Sequence, residues 1–280
     1  MLNLVIQSTQ DIATPHLKAI AKLVGAKSIE AITQQAFRLV DVTEDRAAVA
    51  AYCDEQQLDW AFVQAGMKLS DIGLVVMDMD STLITIECID EIADMLGIKP
   101  QVAEITERAM RGEMDFHESL RQRVGLLDGL DEEALDRVYK ERLQLSHGAA
   151  ETLAKLQAAG AQTLLISGGF NYYTHRLQER LNLTHTIANT LEVIHGKLTG
   201  KVVGDIIDAD AKITNLIHWR EKLGLKPEQV MALGDGANDL KMLGEAGIGI
   251  AYHAKPIVRA QAKYSLTYVG WEGLLNWFAA

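Results

Sequence analysis

Cysteine is scarce in this chain. Only Cys53 and Cys88 occur in 280 residues, and their spacing frames neither a disulfide scaffold nor a zinc site. Both read as reduced thiols, as expected of a cytoplasmic protein. Proline is also rare: Pro15, Pro100, Pro227 and Pro256 leave long stretches free for helices and strands. Basic charge is in deficit, with 27 Lys and Arg against 38 Asp and Glu and a net charge of -11. A phosphate-backbone binder needs a basic footprint, so no nucleic-acid partner is expected. No apolar run approaches the ~20 residues of a membrane span. The opening MLNLVIQ lacks a basic leader and a small-residue cleavage site, so neither a membrane nor a secretory role is expected. Internal repeats and low-complexity tracts are absent as well. What remains is a globular balance, 48% hydrophobic and 23% charged, at a length suited to one large α/β domain or two modest ones.

The first 70 residues alternate in type. Leu2–Gln7 reads as a strand and Thr14–Val24 as a helix with Pro15 in its first turn. Ser28–Val42 is long enough for a strand pair. Thr43–Gln57 has Val49, Tyr52 and Cys53 at helical spacing with Thr43 as the expected cap, and Trp60–Gln64 closes as a strand. This order is that of a ferredoxin-like α+β unit, residues 1–70. As a pattern it resembles the small-molecule-binding ACT domains. Packing or homodimerisation carries equal weight with ligand binding, because no binding motif accompanies the pattern.

From Ile72 the texture changes. Leu74–Met77, Thr163–Ile166 and Val230–Leu233 are continuous apolar runs, as in strands buried on both faces of a parallel sheet. Helical stretches lie between them, clearest at Ala149–Ala159 and Asp210–Leu223. Together they predict a doubly wound α/β sheet over 71–280, whose ligand site lies at the carboxyl ends of the strands. Residues 87–146 hold helical periodicity and no convincing strand, so they are expected to form a helical cap inserted after the first core strand. Thr190–Val203, with the turn His195-Gly196-Lys197, reads as a hairpin side feature.

Each apolar run ends in polar residues that carry chemistry. In Asp78-Met79-Asp80-Ser81-Thr82, two carboxylates leave a strand end and diverge once the chain loops. Asp78 is placed to attack phosphorus as a nucleophile and Asp80 to act as general acid and base; capping of the next helix is the plainer role for both. Ser167-Gly168-Gly169 offers a hydroxyl and bare N–H groups to a phosphate. In Gly234-Asp235-Gly236-Ala237-Asn238-Asp239, Asp235 suits a direct magnesium ligand and Asp239 a partner that orients it. Lys212 supplies the cation that relieves repulsion between carboxylate and phosphate, although an isolated lysine is normally a solvated surface residue.

These four segments resemble, in order, the motifs of the haloacid-dehalogenase-like phosphatases, and within them the phosphoserine phosphatases. The resemblance runs from about Leu74 to Ala262 and includes Ile89-Asp90-Glu91-Ile92-Ala93 and Ala254-Lys255-Pro256. It implies magnesium-dependent hydrolysis of O-phospho-L-serine through an aspartyl-phosphate, the last step of serine biosynthesis. Asp78, the backbone carbonyl of Asp80 and Asp235 would hold the metal, with Asp239 behind them. Ser167, Gly168 and Lys212 would hold the phosphoryl group, and Asn238 would lie near phosphate and substrate. Glu87 would meet the substrate ammonium and Arg123 its carboxylate, a contact that suits two parallel guanidinium hydrogen bonds. Arg121 and Arg123 are both candidates by position; only the resemblance selects Arg123. Two rivals stand beside this reading, an amino-acid phosphotransferase on the same scaffold and a non-catalytic amino-acid sensor. Serine binding to residues 1–70 as a feedback signal is a further expectation. Met110 and Phe116 are expected to face the lid core rather than line the pocket, and His117, His147 and His253 are expected to be structural. Trp271–Phe278 reads as a docking helix.

Overall fold

The computed structural model describes residues 1–279. The N-terminal module runs β1 (Leu2–Gln7), α1 (Thr14–Val24), β2 (Ser28–Ala31), β3 (Ala36–Val40), α2 (Arg46–Glu55) and β4 (Asp59–Gln64). Its sheet has the order β2-β3-β1-β4 with antiparallel neighbours, the ferredoxin-like topology expected. Pro15 opens α1, and Gly25, at φ 63°, closes it by donating its N–H to the Ala21 carbonyl. The cap of α2 is not Thr43. Asp45 accepts the Ala48 N–H at 3.0 Å, so the helix starts at Arg46, two residues later than a Thr43 cap would start it. Leu4, Ile6, Leu17, Ile20, Leu39, Val49, Cys53 and Phe62 form the module's own core between sheet and helices.

The chain then continues through β5 (Leu74–Met77), four helices α3 (Cys88–Met95), α4 (Lys99–Met110), α5 (Phe116–Gly125) and α6 (Glu133–Glu141), and α7 (Ala149–Ala158). After these come β6 (Gln162–Phe170), α8 (Asn171–Leu181), the hairpin β7 (His185–Ile194) and β8 (Lys197–Val203), and α9 (Ala209–Lys222). The last elements are β9 (Val230–Gly234), α10 (Leu240–Glu245), β10 (Ile248–Tyr252), α11 (Pro256–Gln261) and β11 (Tyr264–Leu266). The strand order of the large sheet is β11-β10-β9-β5-β6-β7-β8. Pairings β9–β10, β10–β11 and β6–β7 are parallel, while β7–β8 is antiparallel. The hairpin is therefore the sheet's own edge rather than a side feature, because the first half of β7 ladders onto β6 before the strand runs on to the turn at His195 and Gly196. Every residue of β5 and β9 is buried, which explains their unbroken apolar character.

Two compact units divide the chain, Met1–Val75 with His147–Ala161 and Leu225–Ala280, and Val76–Ser146 with Gln162–Gly224. Within the first, the buried Asp59 at the start of β4 accepts the N–H groups of Thr267, Tyr268 and Val269 at 2.7, 2.8 and 2.9 Å. Arg38 on β3 donates to the carbonyls of Asn276 and Phe278 at 2.9 and 2.6 Å. The C-terminal stretch, expected as a docking helix, docks on the N-terminal module as a 3₁₀ helix, Trp271–Trp277, with both tryptophans buried. A cleft of about 550 Å³ beside this contact is lined by Arg46, Arg259 and Lys263. Their cationic groups already bond Glu44 and the Lys263 carbonyl, Thr267, and the Gly247 carbonyl. No helix among the described residues is long and apolar enough to cross a membrane.

Candidate active site

In the second unit, β5 delivers its last buried residue, Met77, directly to Asp78. The chain then makes a tight turn over Met79–Leu83 in which Ser81 takes φ 53°. That turn separates the two carboxylates. Asp78 Oδ1 accepts the Met79 N–H at 2.7 Å, and its Oδ2 lies 2.7 Å from Lys212 Nζ. Asp80 is sent instead to the N-terminus of α3, where Oδ1 accepts the Cys88 N–H at 3.0 Å. Burial, and after it the negative charge of Glu87, push the Asp80 carboxyl up to about 7, against the Cys88 hydrogen bonds and the Lys212 charge. Asp78 and Asp80 therefore differ in state although they are near neighbours in sequence: one is an ion-paired carboxylate, the other an acid that holds a proton close to neutrality.

Lys212 is not a surface residue. It is fully buried in the first turn of α9, a helix capped by Asp208, whose Oδ1 accepts the Ala211 N–H at 2.9 Å. The Ser167-Gly168-Gly169 segment lies at the end of β6, where the register with β7 shifts between Ser167 and Phe170. Ser167 is buried, and its Oγ accepts the Gly169 N–H at 2.8 Å. A Cβ on Gly169 would sit 2.7 Å from Asp80 Oδ2 and 3.0 Å from Ser167 Oγ. Gly169→Ala is thus expected to push the Asp80 carboxylate aside and lower kcat about 10²-fold. Because that carboxylate is the free end of a side chain, the urea midpoint should scarcely move; a wild-type kcat in this variant would show that Asp80 does not need this position.

Asn189 was not foreseen. Buried on β7, it donates to the Gly168 carbonyl at 2.7 Å and accepts the Ile207 N–H at 2.9 Å. It ties the glycine segment to the approach of α9. Its neighbours Thr184, His185, Thr186 and Thr190 are polar too, so nothing in the local sequence marked it out.

The helices after β5 carry the other predicted residues. Glu87, exposed just before α3, accepts the Ser81 hydroxyl at 2.7 Å. Arg123, half-buried in the last turn of α5, donates to the Ser119 carbonyl at 3.3 Å. Burial holds its guanidinium below the ordinary arginine range, while Asp90, Glu87 and Asp80 act in the opposite direction. Arg123 therefore lies among these acids, whereas Arg121 is exposed. Met110 is 70% exposed, so it is not a core residue. It ends α4, beyond the last buried position of that helix at Val102. Phe116 is half-buried, and its ring tip comes within 3.3 Å of where a Cβ on Gly168 would stand.

In the first unit, β9 ends at Gly234 and Asp235 follows, half-buried, with its carbonyl accepting the Lys255 N–H at 3.2 Å. Asp239 is fully buried and its Oδ2 accepts the Gly236 N–H at 3.0 Å. A side chain on Gly234 would overlap the Asp239 carboxylate, which explains the glycine there. Asn238 is half-buried in the short 3₁₀ turn Ala237–Asp239. His147 pairs with Glu272 at 3.0 Å and His253 with the Val269 carbonyl at 2.8 Å, structural contacts as expected.

Residues 72–247 match the family model of the haloacid dehalogenase-like hydrolases. The chain belongs to that family. Residues 4–49 of this hydrolase match a domain of unknown function, DUF4072. It is 50% identical over 215 residues to the phosphoserine phosphatase of a Polaromonas species, covering 75% of this chain and 91% of the relative. Against the phosphoserine phosphatase of Vibrio cholerae the identity is 45%, over 78% of this chain and 66% of the relative. Among solved structures, a haloacid dehalogenase family hydrolase from Salmonella enterica serovar Typhi superposes with a TM-score of 0.89 at 32% identity. That match covers 99% of this chain and 98% of the other. A probable phosphoserine phosphatase from Vibrio cholerae gives 0.85 at 36% identity, over 99% and 85% of the two chains. These relatives group this hydrolase with the phosphoserine phosphatases, which are phosphoric monoester hydrolases.

Proposed function

We propose that this hydrolase converts O-phospho-L-serine and water to L-serine and phosphate, the last step of serine biosynthesis, through a phosphorylated Asp78. The observation that carries the reading is the division of state between two near neighbours: Asp78 is an ion-paired carboxylate, and Asp80 is an acid held up to about 7. Asp78 attacks phosphorus as the bond to the serine oxygen breaks, and Asp80 gives that oxygen its proton. Asp80 then takes a proton from the water that attacks the phosphoaspartate, the bond to Asp78 breaks, and phosphate leaves. Lys212 offsets the charge that accumulates as carboxylate and phosphoryl oxygens approach, and Ser167 and the Gly168 backbone hold those oxygens.

Asp78, Asp235 and Asp239 each offer a carboxylate oxygen, the hard donor that magnesium takes. Asp78, Asp235 and the Asp80 carbonyl would hold the ion and Asp239 would orient Asp235; when bound, the ion neutralises phosphoryl charge. Asn238 lies near the phosphate. The domains follow the same reading: residues 1–70 form an N-terminal module, which packs in one compact unit with the C-terminal part, and 87–146 a lid on the catalytic part. Both cysteines are free and buried, in keeping with a cytoplasmic setting. Edge strand β2, exposed along its whole length, favours pairing of the module with a second copy.

Specificity rests on Glu87 for the ammonium and Arg123 for the carboxylate. Arg123→Ala should raise KM for O-phospho-L-serine about 10²-fold, since a desolvated charge partner is lost. Hydrolysis of p-nitrophenyl phosphate, which has neither group, should be unaffected. Equal loss on both substrates would remove Arg123 from substrate recognition. Phosphate release that requires an added hydroxyl acceptor would favour the phosphotransferase.

A further inference from the structure

The first turn of α5 rests on a platform built from three separate stretches of chain. Gly168 lies near the end of β6, and the buried amide of Asn189 bonds both the Gly168 carbonyl and the Ile207 N–H. Ile207 leads to Asp208, which uses both carboxylate oxygens: Oδ1 caps α9 through Ala211, and Oδ2 lies 2.8 Å from His117 Nε2. The Asp208 backbone carbonyl also accepts the N–H of Lys212 at 3.0 Å. Phe116, next to His117, covers Gly168. One turn of the lid helix thus touches the glycine segment and the cap of the helix that carries Lys212.

The two ends of α5 are held differently. Beyond its C-terminus, backbone bonds run from Gly129 N–H to the Leu198 carbonyl, from Leu198 N–H to Leu130, and from Glu132 N–H to Gly196, at 2.8 to 2.9 Å. Gly200 on β8 also packs on Gly125, where a Cβ would come within 3.2 Å of its Cα. That end is fastened to the β7–β8 hairpin by main chain. The N-terminal end is held on its platform by side chains, the Phe116 ring and the His117–Asp208 pair. The end held by two side-chain contacts, one of them partly solvated, is the end expected to open locally at the lower free energy.

We infer that His117 is a positioning residue, the latch that closes the N-terminal end of α5 over the Ser167-Gly168-Gly169 segment and so sets Arg123, at the far end of the same helix, against the substrate carboxylate. This rests on the function proposed above. The pair is partly solvated, with side-chain exposures of 42% for His117 and 29% for Asp208, so its effect is moderate.

Three variants separate the hydrogen bond from the ring, which packs edge-on against Phe116. His117→Ala removes both, His117→Phe keeps a ring without a donor, and His117→Gln keeps a donor without the imidazole. With O-phospho-L-serine, the Ala and Phe variants should show a KM raised about three- to fivefold. Their kcat, and all constants for p-nitrophenyl phosphate, should stay within about twofold of wild type, since that substrate does not use the lid's Glu87 and Arg123. Hydrogen–deuterium exchange in the unliganded proteins should be faster over residues 113–121 in Ala and Phe. The Gln variant should restore both readouts. Wild-type exchange in Ala and Phe, or a Gln variant as impaired as Ala, would overturn the latch. If the wild type fails to hydrolyse O-phospho-L-serine, the functional reading falls, while the exchange data still decide whether His117 holds the helix.

Discussion

Asp78→Asn is expected to lower phosphate release from O-phospho-L-serine by about 10⁴-fold or more, the scale on which enzymes lose activity without their nucleophile. The amide keeps the shape of the carboxylate and can still accept the Met79 N–H, so the local turn persists. What disappears is the anion that forms the bond to phosphorus. Three measurements make the outcome decisive: steady-state phosphate release, far-ultraviolet circular dichroism as a control for folding, and acid-quench trapping of label from ³²P-phosphoserine. The wild type should retain label on the protein and the variant none. Substantial release by a folded Asp78→Asn protein would mean that water attacks phosphorus directly, and the phosphoaspartate would have to be given up. A non-catalytic amino-acid sensor predicts something else again, no turnover by either protein.

Lys212→Met tests the other half of the pair and should be seen first in stability. Lys212 is fully buried and the Asp78 side chain is only 9% exposed, so the two charges share a largely dry environment. Removing one partner of such a pair leaves the other uncompensated, at a cost of about 3–5 kcal/mol. The urea midpoint of the metal-free protein should fall accordingly. The double variant Asp78→Asn, Lys212→Met removes both charges and should recover most of that loss, since two neutral groups of similar shape need no partner charge. If the single and double variants unfold at the same midpoint, the ion pair does not govern the stability of this site. Activity should be lost in both, because the phosphoryl oxygens no longer meet the Lys212 ammonium and the double variant also lacks the nucleophile.

Much of the molecule was legible along the chain. The runs Leu74–Met77 and Val230–Leu233 announced themselves as strands because burial on both faces excludes polar residues from either side. Helix α1 matches its predicted bounds because Pro15 and Gly25 punctuate it. Helix α2 shows the limit of such signals. Thr43 and Asp45 are both good caps, and only the bond from Ala48 to Asp45 distinguishes them. Met110 shows another limit, since it sits at a helical period with apolar neighbours and yet faces water at the end of α4.

The site divides along the same line. The sequence by itself determined which acids end which strands, because an apolar run followed by Asp78 or by Asp235 can place those carboxylates nowhere but at a strand's carboxyl end. It also determined that the segment between α3 and α6 is helical. Tertiary structure decided the states and partnerships of those groups. Lys212, expected only as a cation for the phosphate, became the buried counter-ion of Asp78, Arg123 rather than Arg121 was turned toward the acids, and His117 was joined to Asp208. The physical reason is range. Strand and helix periodicity arise from steric and solvation effects acting over a few residues, so they are written locally. An ion pair or a shifted pKa depends on the low-dielectric space that forms only when distant segments pack together, and no short stretch of sequence contains it.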